Sequence, residues 1–157
     1  MVVDMSYKTC CSVIDSWEQI RNIENYEDKV GTKLFIKFFD LEPEARRIFG
    51  FRERHSLEDL VKSRRFYKHA AYFIQMLDKA IGMLGPDIEM LTDILMELGK
   101  KHVSYGVEPE FFPSMGRSLI ETLEETLGKD KFDVETKGCW VEVYGALSYD
   151  MIRAQKM

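Results

Sequence analysis

Aliphatic and aromatic residues return at three- and four-residue spacing along almost the whole of this 157-residue chain, and runs of strict alternation between polar and apolar are missing. Positions three and four apart share one face of a helix, whereas a half-buried strand needs a period of two, so the pattern predicts an all-α fold. A chain of this length fits one domain, residues 1–157, and can bury roughly 70% of its unfolded surface. A core large enough to enclose a ligand is therefore possible.

The punctuation of the pattern divides the chain. Ser12 or Ser6 can cap a first helix that runs through Arg21, and after the polar IENYED a second is expected from about Glu27 to Leu41, apolar at Val30, Leu34, Phe35, Phe38 and Phe39. Pro43 then forces a short turn or helix. GFRERHS reads as a loop, with His55 expected in solvent. Ser56 and Asp59 form a variant capping box that opens one long helix to Leu84. GPD at 85–87 breaks the chain, and helices follow over about 87–101, 110–127 and 134–154, the second of these ended by Gly128. Helices of such unequal length, joined by short turns and showing no internal repeat, do not form an up-down bundle.

Composition narrows the function classes. At 45% hydrophobic, 12% aromatic and 31% charged, with four prolines, the chain is that of an ordered globular protein. A formal net charge of -5 argues against a general nucleic-acid binder, and the basic pairs Arg46-Arg47, Arg64-Arg65 and Lys100-Lys101 are scattered like solvated helix faces. The opening MVVDMSYKTCCSVIDSW has neither a basic leader nor an apolar run of roughly 7 to 15 residues, and no stretch of about 18 apolar residues follows. A soluble cytoplasmic protein with no membrane contact is expected. Cys10, Cys11 and Cys139 are odd in number and lack CxxC spacing, so free thiols are expected; a redox link from Cys10 or Cys11 to Cys139, or to another chain, is the alternative.

Two histidines interrupt apolar faces. Stepping along the helix before LGKKH from Leu91 through Leu95 and Leu98 arrives at His102, just ahead of the break at Gly106. On the long helix, Phe66, His69 or Ala70, Phe73, Leu77 and Ile81 share a face. Burying an imidazole without a partner costs roughly 1 to 3 kcal/mol. A hydrogen bond to a backbone carbonyl would serve each histidine alone, and a shared metal or cofactor would serve both. A compact zinc site needs two more ligands, which neither face offers. Haem brings four nitrogens of its own and asks the protein only for axial imidazole.

Taken in order, these residues resemble the globins, specifically the full-length kind and more closely the neuroglobin and cytoglobin type than the truncated ones. Pro43 looks like the proline opening the short third helix, and Phe49, in PEARRIF, like the phenylalanine that packs on the porphyrin. Gly31 matches the small residue where the second helix crosses the long one, with Ala70 facing it. RFYKHAAYF sets His69 at the distal position, and LGKKH followed by GVEP sets His102 at the proximal one. The resemblance implies seven to eight helices in a three-over-three sandwich around haem b, with His102 on the iron. It implies that Leu98 lines the proximal side, its carbonyl holding the Nδ1 proton of His102, and that Val107 and Phe112 touch the porphyrin rim. Phe35 and Phe73 would stand in the distal pocket with His69, Phe73 departing from the smaller aliphatic usual there. Arg52, Arg54 and Tyr72 are the propionate candidates.

Three functions follow from the resemblance. The first is reversible binding, or transport, of dioxygen and of carbon monoxide and nitric oxide, with His69 either stabilising the gas by a hydrogen bond or competing with it as a sixth ligand. The second is nitric oxide dioxygenation or weak peroxidase activity with a separate reductase; the tyrosine that flavohaemoglobins place in the second helix is replaced by Phe35. The third is a gas or redox sensor.

Overall fold

The computed structural model describes residues 1–51, 56–85 and 87–157. Arg52, Glu53, Arg54, His55 and Pro86 lie outside the described residues, and with them the propionate candidates Arg52 and Arg54, the placing of His55 in solvent and the centres of the GFRERHS and GPD breaks.

The described residues form seven α-helices and two 3-10 helices. A short 3-10 helix, Val2–Asp4, precedes α1, Tyr7–Arg21. Of the two candidate caps, Ser6 is used: its hydroxyl accepts from the Thr9 N–H at 3.2 Å and satisfies one of the donors that a helix start leaves free. Helix α2, Tyr26–Leu41, is followed by a 3-10 helix, Pro43–Phe49, where the fixed φ of proline suits the first position.

The long helix expected from Ser56 to Leu84 is two helices. Ser56 and Asp59 close the capping box of α3, Leu57–Val61, and the chain turns at Lys62 and Ser63 before α4, Arg64–Gly82. Leu60 and Phe66 are both fully buried, yet at 100° per residue an unbroken helix would turn them about 120° apart. The turn brings both inward. Helices α5, Ile88–Ser104, α6, Phe111–Leu127, and α7, Val134–Gln155, match the remaining expectations to within three residues at each end.

Helices α1, α4 and α5 form one layer and α2, α6 and α7 the other, with α4 crossing α2 and both α1 and α5 crossing α7. The core lies along α2, whose Val30, Leu34, Phe35, Phe38 and Phe39 are all buried. Two tryptophans tie α1 to its neighbours: Trp17 Nε1 donates to Asp78 at 2.8 Å and Trp140 Nε1 to Ser16 Oγ at 2.7 Å. The N-terminal segment docks too, with Val2 N donating to the fully buried Asp150 of α7 at 3.2 Å.

Close crossings fix the interlayer distances. A Cβ at Gly31 would lie 2.8 Å from the Ala70 carbonyl oxygen, so α2 and α4 approach backbone to backbone at the pair that the sequence singled out. A second such crossing was not anticipated: a Cβ at Gly99 of α5 would collide with the Met151 carbonyl and lie 2.9 Å from the Ala154 Cβ of α7. Cys10 is buried in α1, Cys11 and Cys139 are half-buried, and all three are free thiols. Among the described residues no helix is long and apolar enough to cross a membrane.

Candidate functional site

Two helices that follow one another in the chain part company in space. Helix α4 packs on α2 and α5 packs on α7, while α4 and α5 scarcely touch each other. Each carries one of the two histidines.

On α5, the apolar stripe is split by depth. Leu91 and Leu95 are buried together with Gly99, and Leu98 and His102 are half-buried. His102 Nδ1 lies 2.6 Å from the Leu98 carbonyl oxygen one turn back. A carbonyl only accepts, so Nδ1 carries a proton and the neutral ring has its lone pair on Nε2. This is the hydrogen-bonded imidazole of the simpler sequence reading, and it is also an imidazole oriented as an Nε2 ligand.

The turn after α5 is held from two sides. The Val107 N–H donates to the His102 carbonyl at 3.0 Å, and Gln155, at the end of α7, donates from Nε2 to the Val107 carbonyl at 3.3 Å. Gly106, at φ 81°, turns the chain between them. Val107 is half-buried. Phe112, buried at the start of α6, brings its ring centroid to 5.7 Å from His102, and its carbonyl accepts from the Tyr144 hydroxyl at 2.6 Å. Burial around Tyr144 pushes the phenol pKa well up, so this hydroxyl remains a donor at any physiological pH.

On α4, the buried face is Phe66, Ala70, Ile74, Leu77 and Ile81. The sequence had set His69 and Phe73 toward the core; the structure corrects both by one position. Ala70 and Ile74 take the inward places because Ala70 must meet Gly31, and a larger side chain there would push α2 away. His69 is exposed at the edge of that face and Phe73 is half-buried. The His69 ring packs edge-on against Phe49 with centroids 5.2 Å apart. Phe35 stands behind, almost fully buried, 5.5 Å from both Phe49 and Phe73 and perpendicular to the latter. Tyr72 is exposed. Partial burial, and then the Arg65 guanidinium, lower the pKa of His69, which keeps its ring neutral and a lone pair available near pH 7.

The structure therefore assembles two groups: Leu98, His102, Val107 and Phe112 around the end of α5, and Phe35, Phe49, His69 and Phe73 on the α2 and α4 side. Sequence reasoning missed Gln155, Tyr144 and Arg65. Only Arg65 left a local signal, four residues before His69 and so one turn below it.

These residues fit haem on donor chemistry. Among the described residues no group of three or more His, Cys, Asp or Glu side chains is gathered that could hold a bare metal ion. Two imidazoles on separate helices suit instead a cofactor that brings the other ligands itself. Both stand among apolar side chains, Phe49, Phe73, Leu98 and Val107, that the fold leaves only half covered.

Known proteins share this architecture. The sequence model of the globin family, described simply as Globin, matches residues 32–151. The neuroglobin of Tetraodon nigroviridis is 31% identical over 124 residues, which cover 78% of this chain and 77% of the neuroglobin. A hexacoordinated haem protein from an anhydrobiotic tardigrade superposes with a TM-score of 0.85 over 98% of this chain and 97% of its own, at 18% identity. A hexa-coordinate haemoglobin of Drosophila melanogaster, studied for cyanide binding, does so with a TM-score of 0.81 over 94% and 93%, at 21% identity. With its two-layer helical sandwich, its paired histidines and a family match spanning most of its length, the chain belongs to the globin family.

Proposed function

We propose that the whole chain is one haem domain that binds a diatomic gas reversibly, with His102 as the proximal ligand and His69 as an internal competitor on the other side. Haem b, when bound, would be held by His102 and would supply the iron at which a gas can bind. The observation that carries the reading is the 2.6 Å contact between His102 Nδ1 and the Leu98 carbonyl. It commits the Nδ1 proton, leaves Nε2 unprotonated and makes that nitrogen a better donor. Phe35, Phe49 and Phe73 keep water from the distal side, which slows oxidation of the metal. Leu98, Val107 and Phe112 provide apolar contact for the rim.

His69 is favoured as competitor over bystander because its ring packs edge-on with Phe49, and partial burial and Arg65 favour its neutral form. The tardigrade haem protein and the Drosophila haemoglobin described above are both described as hexacoordinate. The apparent gas affinity is then reduced to the fraction of molecules in which His69 is away from the metal. If that fraction is about 1–10%, replacing His69 with leucine raises apparent affinity about 10- to 100-fold.

The visible spectrum of the ferrous, unliganded protein tests this. Two sharp bands are expected for the wild type and one broad band for His69→Leu. One broad band in the wild type would leave His69 as a hydrogen-bond donor to the gas and nothing more. Dioxygen, carbon monoxide and nitric oxide are the ligands proposed. Return of the metal to the ferrous state after oxidation, and any turnover of nitric oxide, needs an electron donor outside this chain. The cytoplasm, where such donors are abundant, is the proposed location.

A further inference from the structure

Folding leaves the carboxyl group of Asp150 short of donors. It stands on the inner face of α7, fully buried, and the hydrogen bond it accepts among the described residues, from the Val2 N–H to Oδ2, is 3.2 Å long. Oδ1 is buried with no partner among the described residues. A carboxylate offers about four acceptor sites, and buried polar groups are nearly always paired. Arg153, one turn on, does not supply the missing donor. Its guanidinium turns to two thioethers, with Nη1 3.6 Å from Met1 Sδ and Nη2 3.9 Å from Met96 Sδ, and its Nε is itself buried without a partner among the described residues.

The atom already against Asp150 is the nitrogen of Val2. Val2 is 1% exposed, and its 3-10 helix packs on both α5 and α7. As a peptide nitrogen it brings one N–H and no charge. At the head of a chain that starts with Val2 the same nitrogen is an ammonium, which adds two donors and a positive charge beside the carboxylate. The ammonium of Met1 has no comparable place: it lies 3.8 Å from Asp4, whose side chain is 73% exposed, and surface pairs of that kind contribute little.

We propose that the Met1–Val2 bond is a processing site, and that Asp150 binds the α-amine released there as a buried ion pair. Water adds across the bond, its hydroxyl going to the Met1 carbonyl carbon and its hydrogen to the Val2 nitrogen, and the new amine takes up a proton from solvent. Any cleavage in front of Val2, whatever it removes, yields the same group. Because Val2 is buried in the folded chain, the peptidase acts before this segment docks. The Asp4 N–H exchanges its 3.0 Å bond to the Met1 carbonyl for water. A buried ion pair is costly when both charges must leave water, but this carboxyl is buried already, so its new partner relieves a cost that the fold otherwise bears. The pair fastens the N-terminal segment across α7 and α5, the helix that carries His102.

Two chains that differ only in Met1, released from fusions cut to leave either Met1 or Val2 first, test this. Each is treated with 2-pyridinecarboxaldehyde, which reacts with α-amines, and followed by mass spectrometry, with rates normalised to those of the same chain in denaturant. The Val2 amine is expected to react at least about tenfold slower than the Met1 amine, since a docked amine reacts through an opened fraction of about 10% or less. The urea midpoint of the Val2 chain should be the higher of the two. Asp150→Asn keeps the shape of the side chain and removes its charge, and in the Val2 chain it should restore fast labelling. A Val2 amine that labels as fast as that of Met1, or a Val2 chain with an equal or lower midpoint, overturns the proposal. So does slow labelling that persists in Asp150→Asn, which would give the amine to another group. The two unsubstituted chains decide the question by themselves if Asp150→Asn does not fold.

Discussion

His102→Ala is expected to lose haem. The residue is half-buried at the end of α5, the polar contact of its ring among the described residues is with the Leu98 carbonyl, and alanine is the best helix former, so the apoprotein should fold as before. What disappears is the Nε2 donor. Losses in the outer shell of a metal site cost roughly 10- to 100-fold in affinity, and loss of the axial ligand itself should cost at least about a hundredfold. Hemin titration followed by the Soret band measures this, with far-ultraviolet circular dichroism as the check on folding. Free imidazole added to the variant should restore the wild-type band, because the space vacated by the side chain admits the same ring. A variant that bound hemin with unchanged affinity and spectrum would assign the metal to another residue.

Gly99→Val is expected to be the most damaging single change on α5. Gly99 follows Leu98, whose carbonyl orients His102, and its Cα hydrogen faces the Met151 carbonyl and Ala154 Cβ of α7. Backbone atoms cannot step aside as side chains can. Because α5 has almost no other support than α7 and the N-terminal 3-10 helix, it must lift away. Overpacking typically costs about 1–3 kcal/mol, and the upper end is expected here, read as a lower denaturant midpoint together with weaker hemin binding. Gly138→Ala supplies the control. Gly138 is exposed in the second turn of α7 with nothing within 4 Å of its Cβ position, so alanine there should stabilise by up to about 1 kcal/mol. Opposite signs at the two glycines support the crossing, and a neutral or stabilising Gly99→Val contradicts it.

The contrast between these glycines marks where the sequence stops being readable. Helix starts and ends were legible because their causes are local: Ser6 reaches Thr9, Ser56 and Asp59 satisfy each other, Pro43 fixes its own φ, and Gly128 ends α6. The separation of α3 from α4 was not, since it depends on Leu60 and Phe66 finding the same core. Gly99 reads in isolation as a weak point in a helix, and its reason lies some fifty residues away on α7. The face of α4 was read one residue off for the same cause: periodicity alone admitted His69 or Ala70, and the approach of Gly31 decided for Ala70.

Of the candidate site, His102 was legible because an imidazole that continues a leucine stripe is conspicuous, whereas Leu98 and Val107 came with the resemblance to the globins. Asp150 was not legible. A carboxylate in an amphipathic helix reads as solvent-facing, yet it is fully buried and accepts from Val2 N, a partner at the other end of the chain. Gln155 was invisible for a similar reason: its role at Val107 exists only once the end of α7 lies beside the turn after α5.

The central claim is that one porphyrin sits between the two histidine-bearing helices, ligated through His102. Stepwise addition of hemin to the purified protein tests it most directly. A sharp, red-shifted Soret band that grows linearly and stops at one equivalent is the expected result. A band that stays at the position of free hemin, or climbs without a break past several equivalents, would contradict it.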